Sequence, residues 1–215
     1  MTIDNDDLLN SIMESLGRID LIKLEDIPNI DLYMDQLTTF MEDRLRRTTR
    51  YPLDDKILTK TMINNYAKND LLPPPVRKKY SKDHIILLIF IYYYKNILSI
   101  NDIQTLLGPI KERFHISDTE ELTLSDIYKV IYEMEDTELE DVKQDILDKY
   151  EKSTQMFEDV SEEQRSKMQT FSFISLLAYD VYVKKLIIEK MLDNFEGLAP
   201  DRKTKAKKEK RNKDI

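Results

Sequence analysis

The chain contains no cysteine. Disulfides, thiolate metal sites and cysteine nucleophiles are therefore excluded, and the absence fits a reducing, cytoplasmic setting. Glycine is nearly missing, with 3 residues in 215. Neither a G-x-G-x-x-G nor a Walker pattern occurs, and turn-rich all-β folds are disfavoured. The two histidines, His84 and His115, have no partner at metal-ligand spacing, so no metal and no other cofactor is expected. Long apolar runs are missing as well. The longest, Ile85 to Tyr94, falls well short of the roughly 20 residues that cross a bilayer. The second candidate, Phe171 to Leu192, is interrupted by Asp180, Lys184, Lys185 and Glu189. Both read as buried helices, and no membrane partner is expected. The acidic start, Met1 to Asn10, is unlike a signal peptide.

What is present points to helices. Charged residues make up 34% of the chain and hydrophobic ones 41%, and the two kinds alternate at helical spacing. This composition is that of an all-α protein with solvated outer faces. The length allows one large domain or two small ones. Paired carboxylates such as Glu120-Glu121 and Glu138-x-Glu140-Asp141 sit in acidic amphipathic stretches. A solvated face explains them better than acid–base chemistry, so no enzyme is expected.

The charge is segregated along the chain. Residues 1–43 carry net −9, and residues 117–197 carry net −12. Between them, residues 44–96 hold 12 basic and 4 acidic side chains, net +8. Residues 97–116 balance, and the tail 198–215 carries net +5. A basic block in an acidic chain is the footprint of a module that binds a polyanion. The plainer alternative is a set of ordinary solvated helix faces.

Local signals divide the chain further. Leu8, Leu9, Ile12, Met13 and Leu16 predict one face of a short helix, closed at Gly17. Asp31 is placed to cap a helix running to about Arg46, with Tyr33, Met34, Leu37, Phe40, Met41 and Leu45 inward. Arg44, Arg46, Arg47 and Arg50 follow, suited equally to the helix dipole and to phosphates. After a loop from Thr48 to Leu58, Thr59 is placed to cap a helix through about Asn69, stopped by Leu71-Leu72-Pro73-Pro74-Pro75. Arg77-Lys78-Lys79-Tyr80 reads as a basic extended stretch. Ser81 is placed to cap a helix from Lys82 to Asn96, where His84 packs locally. Ser99 is placed to cap another from Ile100 to Leu107, ended by Gly108-Pro109. Three further helices are expected at Ser125–Met134, Glu138–Phe157 and Glu162–Phe195. From Gly197 the basic tail loses all apolar periodicity and reads as disordered.

The segment from Thr59 to Pro75 is the most informative. A helix that enters the major groove presents short polar side chains from its first turns. Thr59, Lys60, Thr61, Asn64 and Asn65 have that character, and asparagine can pair bidentately with adenine. Met62, Ile63 and part of Tyr66 would anchor the opposite face. For Asn64 and Asn65 alone, an exposed polar face serves as well. Arg77, Lys78 and Lys79 suit phosphates or a minor groove. The expected DNA-contacting set is Thr59, Lys60, Thr61, Asn64, Asn65, Tyr66, Lys68, Arg77, Lys78, Lys79, Arg46, Arg47 and Arg50.

The order of parts resembles the winged helix-turn-helix of the MerR group of transcription regulators. The matching stretches are Tyr66 through Pro75, Lys79-Tyr80-Ser81-Lys82-Asp83-His84, and Leu98-Ser99-Ile100-Asn101-Asp102-Ile103. The chain is still more similar to an uncharacterised YkrK-type family of Gram-positive bacteria, regarded as transcription regulators. Ile27 to Asp35, Leu58 to Tyr66 and Lys79 to His84 resemble its motifs, and the resemblance covers about residues 27–110. It departs from the MerR pattern in two places. Asn64-Asn65-Tyr66-Ala67 stands where Arg-Tyr-Tyr-Glu is usual, and Asp70 stands where a glycine precedes the two leucines. The first helix and the loop after it are also longer, so promoter-untwisting activation does not carry over.

The resemblance implies an all-α chain built around a MerR-like winged helix-turn-helix at residues 28–110, its reading part between about Asp31 and Leu107. A helix and linker (1–27) precede it, and a helical C-terminal region for dimerisation or effector sensing (111–197) follows, then the tail (198–215). The expected function is a repressor-like, sequence-specific regulator that binds double-stranded DNA. A homodimer is expected from the apolar C-terminal helix, with a small-molecule or protein effector still unidentified. The alternative is an adaptor that keeps the helix-turn-helix scaffold and binds protein instead.

Overall fold

The computed structural model describes residues 5–16, 22–111 and 122–194. In chain order the elements are α1 (Asn5–Leu16), β1 (Leu32–Tyr33), α2 (Met34–Leu45), α3 (Lys60–Lys68), β2 (Lys79–Tyr80), α4 (Lys82–Tyr94), α5 (Ile100–Lys111), α6 (Leu124–Thr154) and α7 (Glu162–Asn194). The described chain is mostly helical, as its composition requires, with one two-stranded antiparallel sheet. Among the described residues no helix is long and apolar enough to cross a membrane. Gly17, His115, Glu120-Glu121 and the tail 198–215 lie outside the described residues. The described parts of 1–28, 40–57 and 125–184 form one compact unit, and those of 29–39, 58–124 and 185–215 form a second.

The second unit is built on α4. Nine successive residues, His84 to Tyr92, are buried. Such a helix has no solvated side, which is why its sequence is apolar almost without interruption. Each buried Leu or Ile contributes roughly 1.5–3 kcal/mol through removal of apolar surface from water. Ser81 starts this helix in a capping box with His84. The backbone N–H of Ser81 donates to His84 Nδ1 at 3.0 Å, and the other ring nitrogen faces the Pro74 carbonyl at 3.4 Å. The wholly buried imidazole therefore ties the triple-proline segment to the start of α4.

Three local expectations are corrected in this unit. The helix expected from Asp31 begins only at Met34, because Leu32 and Tyr33 first pair with Tyr80 and Lys79 as a short strand. The pair alternates, Leu32 buried and Tyr33 exposed, which is a strand's period of two. Tyr33 is accordingly not an inward helix residue. Arg77 and Lys78 are not extended either: both have positive φ, 50° and 65°. Finally, α5 does not stop at Leu107 but continues through Pro109 to Lys111. Proline also crowds the N–H and Cβ of the residue before it, and here that residue is Gly108, which has no Cβ.

In the first unit, α6 replaces the two helices expected at Ser125–Met134 and Glu138–Phe157. No glycine or proline separates them, and Thr137 Oγ1 donates to the Met134 carbonyl at 2.8 Å, so the backbone has no reason to break. The part of α7 in this unit lies against α6. Lys149 is held by Asp145 and, at 2.9 Å, by Asp180. Tyr150 meets Phe173 edge to face at 5.4 Å. Gln169 donates to the carbonyls of Thr154 and Met156 in the connection. Met41, Leu45, Ile57 and Tyr128 are buried in the same unit, and the Tyr128 hydroxyl donates to the Ile22 carbonyl.

Candidate nucleic-acid interface

The candidate surface begins at Thr59, whose side chain accepts the Met62 N–H at 3.2 Å and so caps α3. Capping of this kind is worth about 1 kcal/mol. Downstream, Ile63 and Tyr66 are buried and fix which side of the helix faces the core. Lys60, Thr61, Asn64, Asn65 and Lys68 are all exposed. Their spacing of one and four residues puts them on a single helical face. The side-chain amides of Asn64 and Asn65 meet solvent there, while the Asn65 carbonyl is occupied by the N–H and side chain of Asn69. Lys60 pairs with Asp35. With side chains 60% and 78% exposed, that pair holds the ammonium only weakly.

α3 ends in a left-handed turn at Asp70, φ 54°. The N–H groups of Leu71 and Leu72 donate to the Tyr66 carbonyl at 2.8 and 3.2 Å, which is Schellman-type closure. This explains the departure at Asp70: the position needs a positive φ, which glycine adopts freely and aspartate tolerates. Leu71 and Leu72 are then buried, and Pro73-Pro74-Pro75 carries the chain outward.

The next turn is a two-residue hairpin. Val76 and Lys79 exchange both backbone hydrogen bonds, at 3.1 and 2.9 Å. Arg77 and Lys78 form its tip with φ positive at both, as a type I′ turn requires. Such turns favour Asn-Gly; here two exposed cations occupy them instead. Left-handed φ at residues other than glycine costs on the order of 1 kcal/mol or more each. Lys79 turns away from the tip, and its ammonium lies 5.1 Å from the centre of the Tyr33 ring. Lys82 donates to Asn29 at 3.2 Å.

The expected set is thus divided. Five members share the open face of α3, with Thr59 half-buried as its cap. Arg77 and Lys78 crown the hairpin of the same unit. Tyr66 is withdrawn as a base contact: it is 9% exposed, and burial raises its hydroxyl pKa. Arg46 is committed to its own loop, where its guanidinium donates to the carbonyls of Pro52 and Asp55 and pairs with Glu42. Arg47 and Arg50 are exposed in the first unit, Arg50 lying over the Tyr51 ring at 5.2 Å. Sequence reasoning missed Tyr33 and Asp35, the partners of Lys79 and Lys60. The in-out alternation at Leu32-Tyr33 was the available signal for the first.

Residues 22–132 match the family described as Domain of unknown function (DUF1836), just over half of the chain. The chain belongs to this family. The DUF1836 segment contains every residue named above on α3, the hairpin and the 46–57 loop, and it ends inside α6. No curated protein and no solved structure matches the chain.

Proposed function

We propose that this DUF1836 protein is a sequence-specific double-stranded DNA-binding regulator of transcription, with α3 reading base edges and the 76–79 hairpin acting as the wing of a MerR-like winged helix-turn-helix. The YkrK-type motifs support the same reading. One observation carries it: Lys60, Thr61, Asn64, Asn65 and Lys68 form one uninterrupted polar face opposite buried Ile63 and Tyr66. Short amides on a capped helix face match the donor and acceptor edges of the major groove. Arg77 and Lys78 supply sequence-independent phosphate contacts. Within residues 28–110 the reading elements are α3 and the hairpin, both in the second unit, and residues 111–197 are assigned dimerisation or effector sensing. The reading helix departs from the MerR arginine-tyrosine pattern, so promoter-untwisting activation is not part of the proposal, which takes the regulator as repressor-like.

A second copy is the expected protein partner. Phe171, Ile174, Val181 and Tyr182 are large apolar or aromatic residues exposed on α7, more than a lone surface helix carries. Selection of duplexes from a random pool by the purified chain tests the DNA reading. An enriched motif is expected, with affinity falling roughly a thousandfold between about 50 and 200 mM salt for about six phosphate contacts. A pool without a motif, together with a protein retained on the same surface, would favour the adaptor alternative.

A further inference from the structure

A cavity of about 400 Å³ opens in the second unit between the end of α4, α5 and the last turns of α7. Leu98 and Leu192 are buried at its walls, while Ile97 and Met191 remain 44% and 52% exposed beside it. Tyr94, Leu106 and Ile188 complete the lining. Among the described residues, none of the lining side chains is charged. The volume lies within the range of small-molecule sites. An apolar hollow of this kind offers water too few hydrogen-bond partners to hold it in order. Three elements converge here and leave large apolar side chains facing one hollow.

The same α5 grips the end of the helix that carries the polar face. Gln104 donates to the Asn69 carbonyl at 3.0 Å, and Lys111 donates to the Asp70 carbonyl and reaches its carboxylate at 3.4 Å. Leu106, which lines the cavity, lies between these two in sequence. Any shift of α5 that accompanies filling of the cavity is therefore felt at the C-terminal cap of α3.

We propose that this cavity binds an uncharged, hydrocarbon-rich small molecule and that its occupancy is transmitted through α5 to the cap of α3 at Asn69–Leu71. The lining chemistry argues the ligand class: a charged group placed there would lose its hydration and find no partner. The consequence for DNA rests on the reading of α3 proposed above; the site itself does not.

The test uses the full chain and no DNA. Titration with the neutral fluorophore N-phenyl-1-naphthylamine should saturate at one molecule per chain, with 1-dodecanol displacing it. Leu106→Trp and Met191→Trp fill the cavity from its wall and from its exposed side. Each should weaken binding about tenfold or more, the equivalent of 1.4 kcal/mol. Met191 is half-exposed and should accept the larger ring where Leu106 fails to fold. Hydrogen exchange at the amides of residues 69–71 should change when the fluorophore is bound. Absence of saturable binding would overturn the site, as would unchanged affinity in both variants with native circular dichroism. A change of mass in light scattering on filling the cavity would instead assign it to a contact between copies, and also overturns the site. Binding without any change at residues 69–71 would overturn the coupling alone.

Discussion

At the scale of single residues, the chain uses aspartate and two cations where backbone geometry favours glycine. Asp70 closes α3 with a left-handed φ of 54°, and its carbonyl is held by Lys111. Asp70→Ala should therefore lower stability by about 1 kcal/mol, whereas Asp70→Gly should be neutral or stabilising. Chemical denaturation of the two variants checks the ordering. The sequence displayed the unusual aspartate but not its cause, because positive φ follows from the Schellman hydrogen bonds to Tyr66. Tyr66 and Arg46 show the reverse. Both carry side chains that suit DNA, and only tertiary packing reveals that one is buried and the other clamps a loop.

At the scale of elements, the hairpin sets stability against binding. Its tip places Arg77 and Lys78 in conformations that favour glycine, so the cations are present at a conformational cost. Lys78→Gly should stabilise the fold by up to about 1 kcal/mol. It should also weaken binding to every duplex alike and reduce the salt slope by about one. Equal or tighter binding would argue that the tip does not touch phosphate. The helix starts at Thr59 and Ser81 were legible because capping chemistry is local. The fusion of two expected helices into α6 was not. Asp136 and Thr137 lower helix propensity slightly without breaking the backbone, and packing decides such cases. The tight turn at Arg77-Lys78, read as extended, was also illegible, since the pair lacks the Asn-Gly signal of a type I′ turn.

At the scale of the whole molecule, acidic flanks accompany a basic centre, and apolar residues stay exposed on α7. A self-associating chain accounts for the second feature. Light scattering at tens of micromolar should give twice the chain mass, and Phe171→Asp with Val181→Asp should return it to one. A monomer in the unmodified chain would remove α7 as the partner surface. The charge segregation was fully readable from the sequence, whereas the distribution of the chain over two interleaved units was not, because it depends on contacts between distant segments. The face of α3 is where the levels meet: Ile63 and Tyr66 orient it, Thr59 starts it, and it lies within the net-positive stretch 44–96 of the sequence. The decisive measurement is the affinity of Asn64→Ala/Asn65→Ala for a selected duplex and for a random one. Loss of most of the preference for the selected duplex, with random-duplex binding intact, is predicted at roughly 1–3 kcal/mol per lost base contact. Unchanged preference would contradict groove reading by α3.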